Sequence, residues 1–370
     1  MGQMLRNWEG TALCTISLCM IVKNEEAVLG RCLESAVDLV DEIIIVDTGS
    51  TDGTKEVARR FTDKLFDFPW ADDFSAARNF SFDRASGGYC MWLDADDVIA
   101  EDDRARFRAM REGLLPGADV IMMPYHTAFD PQGRPTFTYY RERVVRSDPR
   151  FRWAGAVHEA IAPAGEVRWS NAAVSHKKAG AGDPDRNLRI YEAQLAAGKA
   201  LDPRSQFYYA RELWYHSRFA EAAEVLTAFL DSGAGWLENQ IEACRLLSQC
   251  MTALGRDGDA LSALLRSLAL DTPRAEVCCD MGGWFLAREQ WRQAAFWYEL
   301  ALTRKRDDTS GAFVSPDCYG YLPAIGLCVC WYYLGDTEKA SAFNELAASY
   351  RPEDPHVLHN RTFFSSLSFS

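Results

Sequence analysis

The sequence lacks the features that mark several protein classes. None of its eleven cysteines forms a Cys-x-x-Cys pair or a zinc-finger spacing, and most lie inside apolar runs, as buried reduced thiols do. The chain does not open on a basic stretch followed by an apolar core, so a secretory signal peptide is not expected. No apolar run approaches the ~18–20 residues that span a bilayer. We therefore expect a cytoplasmic protein that does not enter a membrane.

Positive charge is also scarce. Forty Lys and Arg residues stand against fifty-three Asp and Glu residues, which gives a formal net charge of −13 over 370 residues. Proteins that bind nucleic acids or membrane surfaces through charge need a positive face, so we expect neither partner. A bound divalent cation would still allow an acidic protein to hold a phosphate-bearing ligand.

The first half of the chain alternates strand-like and helix-like patterns. Three short apolar runs, each ending in polar residues, are predicted to be strands: Cys14–Val22, Glu42–Ser50 and Gly88–Asp97. Helical patterns lie between them, so the segment predicts a β-α-β-α-β unit with a mostly parallel, Rossmann-like sheet. Ligands of such sheets bind at the carboxyl ends of the strands, where the polar residues lie.

The second half, from about Asn187, is helical and carries an internal repeat. Small residues recur at matching positions of four helical segments at intervals of 38, 34 and 46 residues, namely Ala222, Ala260, Ala294 and Ala340. Tetratricopeptide repeats have a period of ~34 residues. We predict an α/β domain over residues 12–186 and an all-α, tetratricopeptide-like domain over 187–370. An irregular helical bundle is the alternative for the second domain.

The stretch WLDADD carries the clearest chemical signal. Side chains alternate along a strand, so Asp94 and Asp96 are predicted to point to the same face. Two carboxylates on one face repel each other unless a cation lies between them. Hard oxygen ligands of this kind suit Mg²⁺ or Mn²⁺, and the sequence therefore predicts a divalent cation site.

Three ordered motifs in the first half resemble glycosyltransferase family 2, whose members have the GT-A fold. They are SLCMIVKNEEAVLGRCLES, EIIIVDTGSTDGT and WADDFSAARNFSFDRASGGYCMWLDADD. The DFSAARN segment, a later Val-His-Glu and the C-terminal repeats are similar to bacteriocin peptide S-glycosyltransferases of the sublancin type. The resemblance implies an inverting transfer of a sugar from a UDP-sugar, dependent on Mn²⁺ or Mg²⁺. The implied acceptor is a Cys or Ser side chain of a peptide. The helical domain would hold this peptide or form a homodimer.

The resemblance also implies roles for individual residues. Asp47 would contact the uridine, Arg78 would pair with the diphosphate, Asp96 would bind the metal directly, and His176 would complete the metal or diphosphate site. Asp94 would face the ribose or the water shell of the metal. The predicted nucleotide pocket is formed by Val22, Lys23, Asn24, Glu25, Asp47, Gly49, Ser50, Asp52, Arg78, Asn79, Asp94 and Ala95.

An inverting transfer needs a base that removes the acceptor proton. Glu159 in FRWAGAVHEAI is the first candidate, Asp97 the second, and His158 lies beside Glu159. Asp97 could instead touch the donor sugar. A thiol acceptor would need only a weak base, because cysteine is partly ionised near neutral pH. Two alternatives remain: a saccharide or lipid-linked acceptor, and a non-catalytic repeat scaffold with a degenerate transferase domain.

Overall fold

Residues 14–130, 132–178 and 182–367 are described by the structure, a computed structural model. The chain divides into two compact units, Met1–Lys199 and Ala200–Ser370. The first unit therefore includes the helix Arg186–Ala196, although the sequence analysis begins its second domain at residue 187. The predicted domain start at residue 12 lies outside the described residues.

The first unit alternates strands and helices as predicted, and then ends in a run of short strands. The strands are β1 (Ile16–Val22), β2 (Glu42–Asp47), β3 (Leu65–Asp67), β4 (Tyr89–Trp92), β5 (Asp97–Val98), β6 (Val120–Phe129), β7 (Pro135–Arg146), β8 (Trp153–Ala154), β9 (Ala160–Ile161), β10 (Val167–Trp169) and β11 (Val174–His176). The helices are α1 (Leu29–Ala36), α2 (Thr54–Ala58), α3 (Phe74–Phe82), α4 (Glu101–Gly113) and α5 (Arg186–Ala196).

Nine strands form one mixed sheet in the order β3-β2-β1-β4-β7-β6-β11-β5, with β10 beside β6. The pairings of β1 with β2 and β4 are parallel, because helical crossovers connect successive strands. β6 and β7 are consecutive and pair antiparallel, and β7 also pairs antiparallel with β4. The predicted α/β fold class is confirmed, with antiparallel strands on one side of its parallel part.

Both faces of this sheet are covered, which explains why its central strands read as continuous apolar runs. Ile16, Leu18 and Met20 of β1 are fully buried in the core on one face. Cys19 lies in the core on the other face, together with Ile44 and Trp92. All eleven cysteines lie in the described part of the chain, unpaired, and all but Cys14 are buried, as predicted.

The second unit consists of helical pairs. Its helices are α6 (Pro203–Tyr215), α7 (Phe219–Ser232), α8 (Leu237–Ala253), α9 (Asp257–Ser267), α10 (Ala275–Leu286), α11 (Trp291–Leu302), α12 (Tyr321–Tyr333), α13 (Thr337–Tyr350) and α14 (Pro355–Leu367). The four predicted repeat segments are the second helices of four successive pairs. The alanines used to align them, Ala222, Ala260, Ala294 and Ala340, are each 0% exposed. No helix in the described ranges is both long enough and apolar enough to cross a membrane.

A left-handed residue separates the two helices of every pair. It is Ser217, Gly255, Glu289 and Gly335 in turn, with φ between 56° and 87°. Each lies five positions before its alanine, so the turns repeat at the same intervals as the alanines. The sequence analysis did not use Ser217 and Glu289, because a serine or glutamate carries no sign of a left-handed turn.

Replacing Glu289 with glycine is expected to stabilise the helical unit. A residue with a Cβ atom is less stable than glycine in the left-handed region by roughly 1–2 kcal/mol. Part of the stabilisation expected from glycine is lost, because glycine also makes the unfolded chain more flexible. We expect a net gain of about 1 kcal/mol in the free energy of unfolding, measured by urea denaturation. Gly335→Ala is the matched control and should lower it, since its φ is 87°. A loss of stability in both variants would contradict this account of the turns.

Candidate active site

The carboxyl ends of β1, β2 and β4 meet at one edge of the sheet. Val22 at the end of β1 lies opposite Asp47 at the end of β2. On the other side of β1, Cys19 lies opposite Trp92, so the chain leaving β4 reaches this edge with Asp94 to Asp97. The parallel register therefore brings together the polar segments that follow these strands, as predicted.

The loops after β1 and β2 are joined by hydrogen bonds. Asn24, with φ 56°, donates its backbone N–H to Ser50 Oγ at 2.9 Å and accepts the N–H of Thr51 at Oδ1 at 2.8 Å. The backbone N–H of Glu25 donates to Thr54 Oγ1 at 2.7 Å. Asp52 accepts the N–H of Thr54 at 3.0 Å. These hydrogen bonds involve Asn24, Glu25, Ser50 and Asp52, four of the residues of the predicted nucleotide pocket.

Asp47 has one engaged and one unpartnered oxygen. Its Oδ1 accepts the backbone N–H groups of Gly49 at 3.0 Å and Ser50 at 2.9 Å. Gly49 makes this turn with φ 103°, which side-chain-bearing residues rarely adopt. Asp47 Oδ2 is buried and finds no hydrogen-bond partner among the residues that the structure describes. A buried carboxylate oxygen without a donor is costly, and a ligand donor would relieve that cost.

A short strand pairing brings His176 to the DADD segment. β11 pairs antiparallel with β5, so that His176 lies opposite Asp97. His176 Nδ1 lies 3.3 Å from Asp96 Oδ1 and 3.4 Å from Asp97 Oδ1. One ligand atom from each of these three residues can be chosen so that all lie within 4.8 Å of one another. This group places the predicted ligands Asp96 and His176 together.

The charges around this group favour a cation. Burial, followed by the charges of Asp96 and Asp94, raises the pKa of Glu25 to about 7. Hydrogen bonds to Asp96 and Asp97 raise the pKa of His176 to about 10. The pKa shift of His176, and the smaller, charge-dependent part of the shift of Glu25, reflect the negative charge of these carboxylates, which a divalent ion would offset. Carboxylate oxygens with one imidazole are a donor set that Mn²⁺ accepts, so the residues fit the predicted metal.

Asp97 lies deeper in the protein than its predicted roles as a base or a sugar contact imply. Its side chain is fully buried and pairs with Arg143 Nη1 at 2.9 Å. It also accepts hydrogen bonds from Tyr125 Oη at 2.8 Å and from the backbone N–H of Asp94 at 3.0 Å. The predicted roles of Asp97, as a second base or as a contact to the donor sugar, would require this buried pair to open.

Arg78 joins the metal motif to the predicted base. Its Nε donates to Glu159 Oε1 and its Nη2 to Asp94 Oδ1, each at 2.7 Å. The guanidinium lies 5.1 Å from the ring centroid of Trp92 and 4.7 Å from that of Trp153. Burial would raise the pKa of Asp94, but the charges of Arg78 and Arg143 outweigh it and hold that pKa at about 2. Arg78 Nη1 is buried and has no hydrogen-bond partner within the described ranges, so it remains able to meet a ligand oxygen.

Asn79 and His158 shape the backbone near Glu159. The side-chain amide of Asn79 donates to the carbonyl of Trp153 and accepts its N–H, both at 3.0 Å. This pairing fixes β8, so Asn79 acts as a positioning residue in the structure, and its predicted nucleotide contact stays a prediction. His158 has a φ of 51°, unusual for a side-chain-bearing residue, is half-buried, and directly precedes Glu159 in the chain.

The profile of the family described as Glycosyl transferase family 2 matches residues 17–110. This part of the chain is therefore similar to the glycosyltransferases of family 2. It contains β1, β2, β4 and the whole DADD segment, whose geometry is described above.

The similarity to curated relatives covers more of the chain than residues 17–110. A TPR repeat-containing protein of Synechococcus elongatus is 50% identical over 152 residues, which cover 41% of this chain and 36% of the relative. The lipopolysaccharide core biosynthesis glycosyltransferase LpsC of Rhizobium meliloti is 32% identical over 168 residues, 41% of this chain and 58% of that one. The glycosyltransferase SunS of Bacillus subtilis is 24% identical over 294 residues, 75% and 67% of the two chains. The chain thus spans about a third to two-thirds of the length of these relatives.

Solved structures give weaker likenesses. The S. aureus protein TarS in complex with UDP has a TM-score of 0.34 and 15% identity, over 69% of this chain and 88% of that one. The protein MamA has a TM-score of 0.35 and 16% identity, over 43% and 84%. Scores of this size do not bear on the ligand of this chain.

Two residues of the first unit, Arg143 and Tyr125, escaped the sequence analysis. Arg143 is fully buried, with its guanidinium 3.7 Å from the Trp92 ring centroid and 4.2 Å from that of Tyr125. Tyr125 Oη contacts both Asp97 and His176 Nδ1, the latter at 3.0 Å. The available signal was an arginine beside Val144 and Val145 in a strand that is otherwise buried there. Trp92 and Trp153, whose rings lie near Arg78, are also buried.

Proposed function

We propose that the N-terminal unit is an inverting glycosyltransferase that takes its sugar from a UDP-sugar with the help of Mn²⁺ or Mg²⁺. The observation that carries this proposal is the grouping of Asp96, Asp97 and His176 within 4.8 Å. The group lies at the carboxyl edge of the sheet, where ligands of such sheets bind. A divalent cation held there would offset the negative charge that grows on the leaving diphosphate.

Two buried atoms support a nucleotide diphosphate as the ligand. In the described part of the chain, Asp47 Oδ2 is an acceptor without a donor, and Arg78 Nη1 is a donor without an acceptor. A uracil ring offers an N–H group and a diphosphate offers oxygens, so a UDP moiety would supply both partners. The joined loops after β1 and β2 would hold the nucleotide between these two atoms.

Glu159 is the proposed base of the transfer. Arg78 engages its Oε1, whereas Oε2 receives no hydrogen bond from the described residues and can take a proton. The side chain is 12% exposed, enough to meet an acceptor group. In a single displacement the acceptor oxygen or sulfur forms its bond to the anomeric carbon as the bond to the diphosphate breaks. The acceptor proton goes to Glu159.

The proposed acceptor is a Cys or Ser side chain of a peptide, with the helical unit as the surface that holds it or forms a homodimer. A saccharide acceptor is the second candidate, favoured by the relative whose name places it in lipopolysaccharide core biosynthesis. A lipid-linked acceptor and a non-catalytic scaffold are the further alternatives. Mass spectrometry of peptide and oligosaccharide acceptors incubated with UDP-sugars would separate them. A mass increase of one sugar on a Cys- or Ser-containing peptide is expected.

Removing the Asp96 carboxylate tests the metal site. We expect UDP to bind the full chain tightly only with Mn²⁺, and Asp96→Ala to weaken this binding at least ~10-fold, because metal ligands and even their supporting groups contribute 10–100-fold. Calorimetry with and without Mn²⁺ measures both effects. Glu112→Gln, which alters an exposed carboxylate near the end of α4, is the control and should bind like the unmodified protein. Equal UDP affinity in the presence and absence of Mn²⁺ would refute the site.

A further inference from the structure

The interval of 46 residues between the third and fourth repeats contains a long connection. It joins α11 to α12 through residues 303–320, and its regular structure is a single 3₁₀ turn, Pro316–Tyr319. Connections between helices of such arrays are usually 2–8 residues long, and a longer one is often functional. The contacts that this connection makes with other helices, rather than its length, indicate its function.

The connection runs across the first helices of three successive pairs. Phe313 lies with its ring centroid 5.6 Å from that of Phe207 on α6, and the guanidinium of Arg211 lies 4.7 Å from the Phe313 ring. Further along, the backbone N–H of Ser315 donates to Glu276 Oε1 on α10 at 2.7 Å. Tyr319 Oη donates to Oε2 of the same glutamate at 3.1 Å.

Between these points the connection lies against α8. Ala312 and Phe313 line, together with side chains of α8 and of the start of α10, a half-open gap of about 10 Å³, roughly the space of one water molecule. Gly311 has a φ of 75°, and a Cβ there would come within 2.9 Å of the Trp236 ring. Both the backbone angle and this contact favour glycine where the backbone passes the tryptophan.

The surface beneath the connection is a stripe of charged and aromatic side chains. They recur at helical spacing on the same faces: Phe207 and Arg211 on α6, Glu238, Glu242 and Arg245 on α8, and Glu276 and Asp280 on α10. Arg245 bridges Glu242 and Asp280, at 2.7 and 2.6 Å. Successive helical pairs offer extended surfaces of this kind to ligands.

We propose that this stripe is a binding groove for an extended peptide with an aromatic side chain, and that residues 311–315 are an internal ligand that occupies it. Three features support this assignment. The segment has an aromatic anchor, its backbone donates to an acidic side chain, and Phe313 is only half-buried, unlike the fully buried Phe207. If the segment only covered the hydrophobic core, we would expect its aromatic side chain to be fully buried. A half-buried anchor can be displaced by a competing peptide.

The expected affinity of an external peptide depends on its competition with the internal segment, which is tethered to the same chain. A tethered segment has an effective concentration of order millimolar, so an external peptide binds only weakly while the internal one is in place. Truncating an aromatic anchor typically costs about 2 kcal/mol of binding. Removing Phe313 from the chain should therefore let an external peptide bind at least ~10-fold more tightly.

The probe is a fluorescent peptide of the chain's own residues 307–317, DDTSGAFVSPD, titrated into the full chain without nucleotide or metal. We expect a dissociation constant at least ~10-fold lower for Phe313→Ala than for the unmodified protein. The same peptide with alanine in place of its phenylalanine should not bind. Phe296→Ala, which removes a 60% exposed aromatic ring from α11, is the matched control and should behave like the unmodified protein.

Equal affinity of both proteins for the probe, or no binding to a folded Phe313→Ala protein, would overturn the proposal. Hydrogen exchange on the unmodified protein gives a second measurement that needs no variant. Saturating probe should speed exchange of the Ser315 amide, which now bonds to Glu276, and leave α12 unchanged. If the probe bound without speeding exchange of the Ser315 amide, the peptide would be bound elsewhere and the proposed groove would be refuted. Neither measurement involves sugar transfer, so the groove and the glycosyltransferase proposal can fail independently.

Discussion

Replacing Arg143 with methionine is expected to lower the free energy of unfolding of the N-terminal unit by about 3–5 kcal/mol. Both Arg143 and Asp97 have side chains with 0% exposure, and they pair at 2.9 Å. Without the guanidinium, the buried Asp97 carboxylate keeps only the partly exposed His176, 3.4 Å from its Oδ1, as an opposing charge, and the low dielectric around it makes the loss costly. Urea denaturation of the full chain measures the shift of the transition that belongs to this unit.

Two further variants separate the charge from the packing. Asp97→Asn in the Arg143→Met background should recover part of the loss, because no uncompensated charge is then left in the interior. Arg146→Met is the matched control on the same strand. Its pair with Asp119 has the same 2.9 Å distance but 29% and 19% exposure, so we expect a loss of about 1 kcal/mol or less. Similar losses for Arg143→Met and Arg146→Met would contradict the role assigned to the buried pair.

The sequence predicted the parts of the site that local patterns encode. Buried strands are continuous apolar runs, and the loops that follow them carry the Asp, Gly and Ser residues that turns require. The parallel order of β1, β2 and β4 follows from their helical crossovers. Asp47, Asp94 and Asp96 were therefore predictable at one edge of the sheet, and the family 2 match to residues 17–110 agrees with that assignment.

What the sequence did not show depends on strands that are distant in the chain. Arg143 reaches Asp97 only because β7 pairs with β4 in one register, Met91 opposite Val144. A shift of one residue would turn Arg143 to the other face of the sheet. Tyr125 likewise depends on β6 lying between β7 and β11. No local pattern specifies such pairings, and a charged residue in a strand usually indicates a solvent-exposed face.

In the helical unit, too, the sequence predicted the features that a local pattern encodes and missed those that depend on tertiary packing. The alanine repeat was visible because close helix packing admits only small side chains at Ala222, Ala260, Ala294 and Ala340, all fully buried. The path of residues 303–320 was not visible, because an insertion in a repeat has no periodic pattern of its own. Its contacts with α6 and α10 arise from the stacking of the pairs rather than from its composition.

Replacing Glu159 with glutamine is expected to lower the rate of sugar transfer by about 10²–10⁴-fold and to leave UDP binding unchanged. A positioned base contributes this much to proton transfer, and glutamine cannot accept the proton. Its side-chain oxygen can still accept the hydrogen bond that Arg78 Nε now gives to Oε1 at 2.7 Å. Because the variant keeps the contact that positions the side chain, a loss of rate would report the chemistry. Initial rates of transfer and calorimetry with UDP and Mn²⁺ measure the two quantities.

The pattern of rate and binding distinguishes a base from a structural residue. If Glu159 served only to hold Arg78 in place, glutamine would substitute well and the transfer rate would change little. If it helped to bind the nucleotide, UDP affinity would fall together with the rate. Arg78→Met is the informative companion, since it removes both the bond to Glu159 and the bond to Asp94 and should weaken UDP binding as well. A Glu159→Gln protein with full transfer activity would remove Glu159 from the mechanism and return the search for the base to Asp97 and His158.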